Sequence, residues 1–184
     1  MSERRSPAKQ WESLEDAELV DMYRTTGVDA AFAELVRRYQ VRLFRVLLGM
    51  TSDGALAEEL AQRALVKAAT RIDQLKDGQA FYAWLLSIAR GTALDERRAP
   101  RVRLRASEDS LAQRPTTADL GVQHSVRQVL AQLAPEEAMT LVLADLQGMS
   151  MHEIATALGV GESAAKMRVK RARQRFRDLY QGDA

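Results

Sequence analysis

Lys166, Arg168, Lys170, Arg171, Arg173, Arg175 and Arg177 crowd into one short stretch near the end of the chain. The chemistry such a cluster offers is neutralisation of phosphate, a large term in any affinity for nucleic acid. At helical spacing Lys166, Lys170, Arg173 and Arg177 share one face, while Ala165, Val169, Ala172, Phe176 and Leu179 share another. A cationic face alone most often only meets water. What stands before this one adds meaning to it. Ser150 is placed to cap a short helix and Glu153 follows three residues on, a capping box. Ile154, Ala155 and Leu158 fall on one side of that helix, with Ala155 small enough for a close crossing. Gly159 suits a left-handed exit, and Val160 points inward from a turn otherwise made of Gly159 and Gly161. A short helix, a glycine turn and a basic second helix form the layout of a helix-turn-helix, whose second helix enters the major groove of DNA.

The elements that must position this motif come next. At 184 residues the chain suits one or two small domains, and a hydrophobic fraction of 46% is enough for a core. Charged residues make up 28% but the net charge is only +2, so an anionic partner must be met by local clustering. There is no cysteine, which excludes disulfides and thiolate metal sites and fits a reducing cytosol. The two histidines, His124 and His152, are far apart and give little material for a metal site. Residues 1–10 are polar and basic without the apolar stretch of a signal peptide, and no apolar run is long enough to span a bilayer. The expectation is a soluble cytoplasmic protein with no cofactor and no membrane insertion.

Residues 1–12 read as a disordered tail. A first short helix over 16–23 turns Leu19, Val20 and Tyr23 inward, and Gly27 ends it. Asp29 is placed to cap a long helix to about residue 50, with Phe32, Leu35, Val36, Tyr39, Leu43, Val46 and Leu47 as its apolar stripe. Arg37, Arg38, Arg42 and Arg45 lie mostly off that stripe. Residues 51–54 form a turn. The next helix, 55–72, is lined by Leu56, Leu60, Ala64 and Ala68, with Glu58, Glu59 and Gln62 in its early turns. Residues 73–79 read as a loop, and 81–97 as a helix with Phe81, Trp84, Leu85, Ile88 and Ala89 inside. These four helices make a small bundle over 13–98.

Between 99 and 124 no apolar period persists and Pro100, Pro115 and Gly121 interrupt the chain, so this segment reads as a flexible linker. A second domain, 125–181, opens with Val126, Val129, Leu130 and Leu133 on one helical face. Pro135, Glu136 and Glu137 suit the start of a further helix that ends at Gly148. The fold class is therefore all-α, two small helical domains joined by a linker.

Several stretches occur in an order that identifies a family. They are 32–39 (FAELVRRY), 57–62 (AEELAQ), 81–85 (FYAWL) with 88–90 (IAR), Asp95 and Arg97-Arg98, then 148–155 (GMSMHEIA) and 166–168 (KMR) with 171–173 (RAR). Together they resemble a bacterial RNA polymerase sigma factor of the sigma-70 family, extracytoplasmic-function group. The resemblance implies a region 2 domain and a region 4 domain, with no region 3 between them. It implies that region 4 reads the −35 promoter element and touches the β flap of core RNA polymerase. The candidates nearest the bases are Glu162, Ser163, Lys166, Met167 and Lys170, with Arg168, Arg171 and Arg173 on phosphates.

By the same resemblance, Asp53, Glu58, Glu59 and Gln62 face the clamp helices of the β′ subunit. The loop and the following helix capture an unstacked −10 base and follow the opened strands, with Asp73, Gln74, Lys76, Gln79, Arg90, Arg97 and Arg98 as candidates. Phe81 and Trp84 read as core rather than as melting aromatics, because they are spaced with Leu85 and Ile88. The chain departs from the family pattern at Arg63, where an acid is usual, at Gly91, where Asn is common, and at Gly161 and Ala164, where hydroxyl residues are frequent. An anti-sigma protein is the expected regulator. The expected action is recruitment rather than catalysis: no nucleophile–base pair, phosphate loop or metal set supports an enzyme. A stand-alone helix-turn-helix regulator and a mimic that titrates an anti-sigma factor are the alternative readings.

Overall fold

The computed structural model describes residues 11–98 and 120–182, so the first ten residues and most of the linker lie outside it. The first module holds α1 (Asp16–Thr26), α2 (Asp29–Thr51), α3 (Gly54–Thr70) and α4 (Phe81–Arg98). The second holds α5 (Leu120–Gln132), α6 (Pro135–Leu141), α7 (Met151–Leu158) and α8 (Glu162–Gly182). No strand occurs among the described residues.

The long helix α2 is the axis of the first module, and α1, α3 and α4 all pack against it. Its stripe is buried as the spacing requires: Leu35, Leu43, Val46 and Leu47 are fully covered, as are Leu60, Ala64 and Ala68 of α3 and Phe81, Leu85 and Ala89 of α4. The expected cap at Asp29 shifts by one. Val28 is the extended residue before the helix and Asp29 is its first helical residue, where a carboxylate suits the helix dipole. At the other end Ser52 takes φ 56°, and the Asp53 side chain accepts a hydrogen bond from Leu56 N–H at 3.0 Å to start α3.

Two arginines of α2, Arg38 and Arg42, are drawn into the structure, while Arg37 and Arg45 stay exposed. Arg38 donates to the carbonyls of Trp11 (3.1 Å), Glu12 (3.2 Å) and Leu14 (2.8 Å), and pairs with Asp16 and Glu34. The folded module therefore includes Trp11 and Glu12, which the sequence leaves in the tail. Tyr39 donates to Asp16 from the same side. Arg42 lies over the Tyr82 ring, 4.4 Å from its centroid.

In the second module the helix after Pro135 does not run straight to Gly148. It widens into a π turn over Val142–Leu146, which lifts Asp145 and Leu146 to the surface. The helix α5 begins at Leu120, so the linker is shorter than the 99–124 read from sequence.

The two modules are packed on each other. Helix α4 lies against α7, and α2 against α5 and α6. Across this seam one apolar cluster joins Leu43, Val46 and Leu86 to Met139, Leu143 and Ile154. Gly49 of α2 lets the second module approach closely: a Cβ there would stand 3.0 Å from Val142 Cγ2. A smaller cluster of Leu133, Ala138, Leu141 and Ala172 fills the rest of the second module.

Candidate nucleic-acid and polymerase interfaces

The helix-turn-helix forms as the spacing requires. Ser150 Oγ accepts from Glu153 N–H at 3.2 Å, and Ser150 N–H donates to the Glu153 carboxylate at 2.8 Å. Those bonds from Ser150 hold the Glu153 carboxyl below the usual carboxylate range. Gly159 leaves α7 at φ 64°, a conformation only glycine adopts without strain. Ala165, Val169 and Ala172 of α8 are buried beneath α6 and α7. The neighbouring ridge, Lys166, Lys170, Arg173 and Arg177, roughly 100° round the helix, lines an open groove of about 340 Å³ with Met151 and Val169.

Glu162, Ser163, Lys166, Met167, Lys170 and Arg171 are all exposed. Two of the candidates already have partners. Glu162 meets His152 of α7 at 3.1 Å, and Arg173 Nε donates to Asp145 at 3.1 Å. Asp145 also keeps the Arg173 guanidinium firmly protonated. Arg168 departs from the ridge: two residues past Lys166 is roughly 200° around a helix, and it is half-buried there.

In the first module the expected loop is two tight helical turns, Ile72–Gln74 and Gly78–Ala80. Ile72 and Leu75 are buried, which leaves Asp73, Gln74, Lys76 and Gln79 outward. Helix α1 fixes this loop from below. Arg24 donates to the Ile72 carbonyl at 3.2 Å and to the Leu75 carbonyl at 2.7 Å, and stands 3.8 Å from the Asp73 carboxylate. A Cβ at Gly78 would come within 2.6 Å of Ala17 Cα, so only glycine fits there. Nothing local in the sequence marks Arg24 for this task.

Beside the loop, Lys67, Arg71, Gln74, Trp84, Ser87 and Gly91 line a polar groove of about 350 Å³ between α3 and α4. Trp84 is thus only partly the core residue its spacing implies: it packs against the core and also walls this groove. Phe81 is fully buried as expected. A Cβ at Gly91 would touch nothing, so the groove is open at that point. Sequence spacing does not mark Lys67, Arg71 and Trp84 as ligand-facing, although cations with an aromatic are the usual makings of a single-strand track. Arg97 and Arg98 are exposed near the end of α4. Arg90 is not: it is tied to Glu136 of the second module, Nε to Oε1 at 2.6 Å.

On α3, Glu58 and Gln62 are exposed and Glu59 is half-buried. Arg63 bridges α3 to α4 through Glu96 at 2.7 Å, and lies 3.7 Å from Glu59.

Two modules of this architecture, one with a polar groove and one with a cationic helix-turn-helix, match a known family. The model of Sigma-70 region 2 matches residues 35–102, and that of Sigma-70, region 4 matches 123–176. The chain belongs to the sigma-70 family of RNA polymerase sigma factors. It is 30% identical to the RNA polymerase sigma factor CarQ of Myxococcus xanthus, over 83% of this chain and 91% of that protein. It is 31% identical to the ECF RNA polymerase sigma factor SigL of Mycobacterium tuberculosis, over 80% of this chain and 90% of that protein. Within the family it sits in the extracytoplasmic-function group, and as such it directs core RNA polymerase to promoters with −35 and −10 elements.

Among solved structures, that of CnrH in complex with the cytosolic domain of CnrY superposes with a TM-score of 0.71 at 25% identity, covering 92% of this chain and 99% of that one. The sigma factor RpoE in complex with the anti-sigma factor NepR from Bartonella quintana shares the fold, with a TM-score of 0.65 at 23% identity over 83% of this chain and 98% of that one.

Proposed function

We propose a division of labour for the residues of this sigma factor. Glu162, Ser163, Lys166, Met167 and Lys170 meet the −35 bases, while Arg168, Arg171 and Arg173 meet flanking phosphates. Asp73, Gln74, Lys76 and Gln79 frame the −10 base, and Arg90, Arg97 and Arg98 follow the opened strands. Asp53, Glu58, Glu59 and Gln62 dock on the β′ clamp, and region 4 docks on the β flap. Asp53 does this while its carboxylate caps α3.

The observation that carries this reading is the exposed cationic ridge of α8, Lys166 and Lys170, on a capped helix-turn-helix. Such a ridge suits the negative potential of a DNA groove flanked by phosphates. The chain acts by recruitment, not catalysis, and works in the cytoplasm beside the polymerase. The complex of CnrH with the cytosolic domain of CnrY supports control of this chain by a bound protein, for which an anti-sigma factor is our reading.

The test is transcription in vitro with core polymerase and a promoter library. Initiation at a shared −35/−10 pattern that depends on the added chain is the expected result. DNA binding without any effect on core would overturn it in favour of a stand-alone regulator.

A further inference from the structure

Glu162 brings a negative charge to the leading end of a helix whose other base-facing candidates are cationic or neutral. An acid in the first turn suits the helix dipole. Against DNA it must also overcome the phosphates that flank the groove. Two helices set where its carboxylate stands. The Gly161 carbonyl accepts from Ala165 N–H at 3.0 Å to begin α8. From α7, His152 Nδ1 lies 3.1 Å from Glu162 Oε1, ten residues away in the chain. A carboxylate only accepts, so the ring carries a proton on Nδ1 and donates it.

The base from which His152 reaches is firm. It lies in the capped first turn of α7, and the Thr156 hydroxyl donates to its carbonyl at 3.1 Å. Gly159 at φ 64° and the bond from Val160 N–H to the Ala155 carbonyl, 3.0 Å, fix the turn between the helices. The two side chains themselves are open to solvent, His152 at 80% and Glu162 at 52%. So exposed a pair adds little to stability. Its effect is on direction: the imidazole takes Oε1 and leaves Oε2 to accept from a base, at a smaller ordering cost than a free glutamate would meet. Lys166, four residues on, stands where a cation best offsets the carboxylate.

The chemistry of the groove selects the base. Guanine shows N7 and O6 there and thymine shows O4, all acceptors that repel a carboxylate. Adenine sets its amino group beside the N7 acceptor. Cytosine offers its N4 amino group without an acceptor on its own edge. We propose that His152 is a positioning residue that aims Glu162 at the N4 amino group of one cytosine in the −35 element. The pair thereby sets a cytosine preference at a single position. This rests on the reading of Glu162 as a base-facing residue.

The test uses the full chain with core polymerase on promoters randomised through the −35 element. The parent should prefer cytosine at one position by on the order of tenfold, the weight of a good hydrogen bond to a base edge. Glu162→Ala should abolish that preference and so locate the position. His152→Ala should reduce it by about threefold, as loss of an exposed pair would, and leave the other positions unchanged. His152→Asn, whose amide nitrogen stands where Nδ1 stood, should restore it. The double variant should match Glu162→Ala alone, because the histidine acts only through the glutamate. Replacing the cytosine by 2-pyrimidinone, which lacks the amino group, should bring the parent down to the Glu162→Ala level.

A His152→Ala variant that initiates less on every sequence alike would show a general structural role and overturn the proposal. So would no rescue by asparagine, additive effects in the double variant, or a base other than cytosine at the position Glu162 controls. The underlying reading fails in a different way. If Glu162→Ala changed no preference at all, Glu162 would not face a base and the pair would fall with it. If Glu162→Ala lost the preference and His152→Ala kept it, the positioning role alone would be refuted.

Discussion

Arg24 and Leu75 are 51 residues apart in the chain and are joined by a 2.7 Å hydrogen bond from guanidinium to carbonyl. With the second bond, to Ile72, Arg24 makes α1 the support of the loop proposed to frame the −10 base, although α1 presents no DNA-binding candidate of its own. Hydrogen bonds from a charged donor are worth about 1.5–3 kcal/mol each when shielded, and partial exposure of Arg24 brings the pair to about 1–2 kcal/mol in total. Arg24→Ala should therefore lower the melting temperature by a few degrees. It should also reduce capture of the −10 base, read by 2-aminopurine fluorescence in the promoter, by on the order of tenfold, equivalent to ~1.4 kcal/mol. Arg24→Lys should recover part of this. Affinity for an isolated −35 duplex should stay unchanged, and a parallel loss there would assign Arg24 a general structural role instead.

On α8 charge and base reading should separate. Removing Arg171 or Arg173, the proposed phosphate contacts, should weaken −35 binding on all sequences alike. The slope of log affinity against log salt should fall by about 0.9 for each phosphate that is no longer neutralised. Met167 is 48% exposed at the reading end of the helix and carries no charge. Met167→Ala should shift base preference in a binding selection and leave the salt slope as it was.

Glu34 titrates where the first module is held together. The hydrogen bond from Arg37 is the main force lowering its carboxyl pKa; burial opposes it and Arg38 reinforces it. A carboxylate depressed in the native state binds fewer protons there than in the unfolded chain. Its stabilisation is therefore complete above about pH 4.5, the ordinary value, and is lost as pH falls through the lower native value. Glu34→Gln should cost about 2–3 kcal/mol at pH 7, less than the 3–5 of a fully buried pair because Arg37 is largely exposed. Denaturant titrations at a series of pH values should show a flatter acid limb for the variant than for the parent.

Arg63, where relatives by resemblance carry an acid, ties α3, the helix proposed to dock on the polymerase, to α4 through Glu96. The pair is 39% and 22% exposed, so a coupling of about 0.5–1 kcal/mol is expected. Arg63→Glu should lower both stability and affinity for core by bringing three acids together with Glu59 and Glu96. Adding Glu96→Arg should restore stability. Restored core affinity in that double variant would show that the pair, and not a cation at 63 as such, is what the docking surface requires.

The helices are legible in the sequence because burial imposes a period on residues such as Leu43, Val46 and Leu47, or Ala165, Val169 and Ala172. The motif is legible because a capping box and a glycine exit act over three or four residues, as Ser150, Glu153 and Gly159 do. What is not legible depends on partners distant in the chain. Arg24 looks like any surface cation until the loop carbonyls fold over it, and Arg90 like a free one until Glu136 arrives. The π turn at Val142–Leu146 leaves no mark in an apolar stretch that would serve a regular helix equally well. The seam is hidden for a related reason: a tether permits many arrangements, and no local period distinguishes a face buried within a module from one buried between two.

Gly49 and Val142 also bear on how freely such proteins can be recombined. One gives up its side chain where the other projects, so the two halves fit as lock and wedge at a single point. A chimera that borrows its region 4 from another family member inherits a foreign residue opposite Gly49. A larger one would press on the backbone of α2, and a smaller one would leave a gap there. Exchange of promoter-reading halves is therefore not neutral toward their fit unless position 142 travels with position 49.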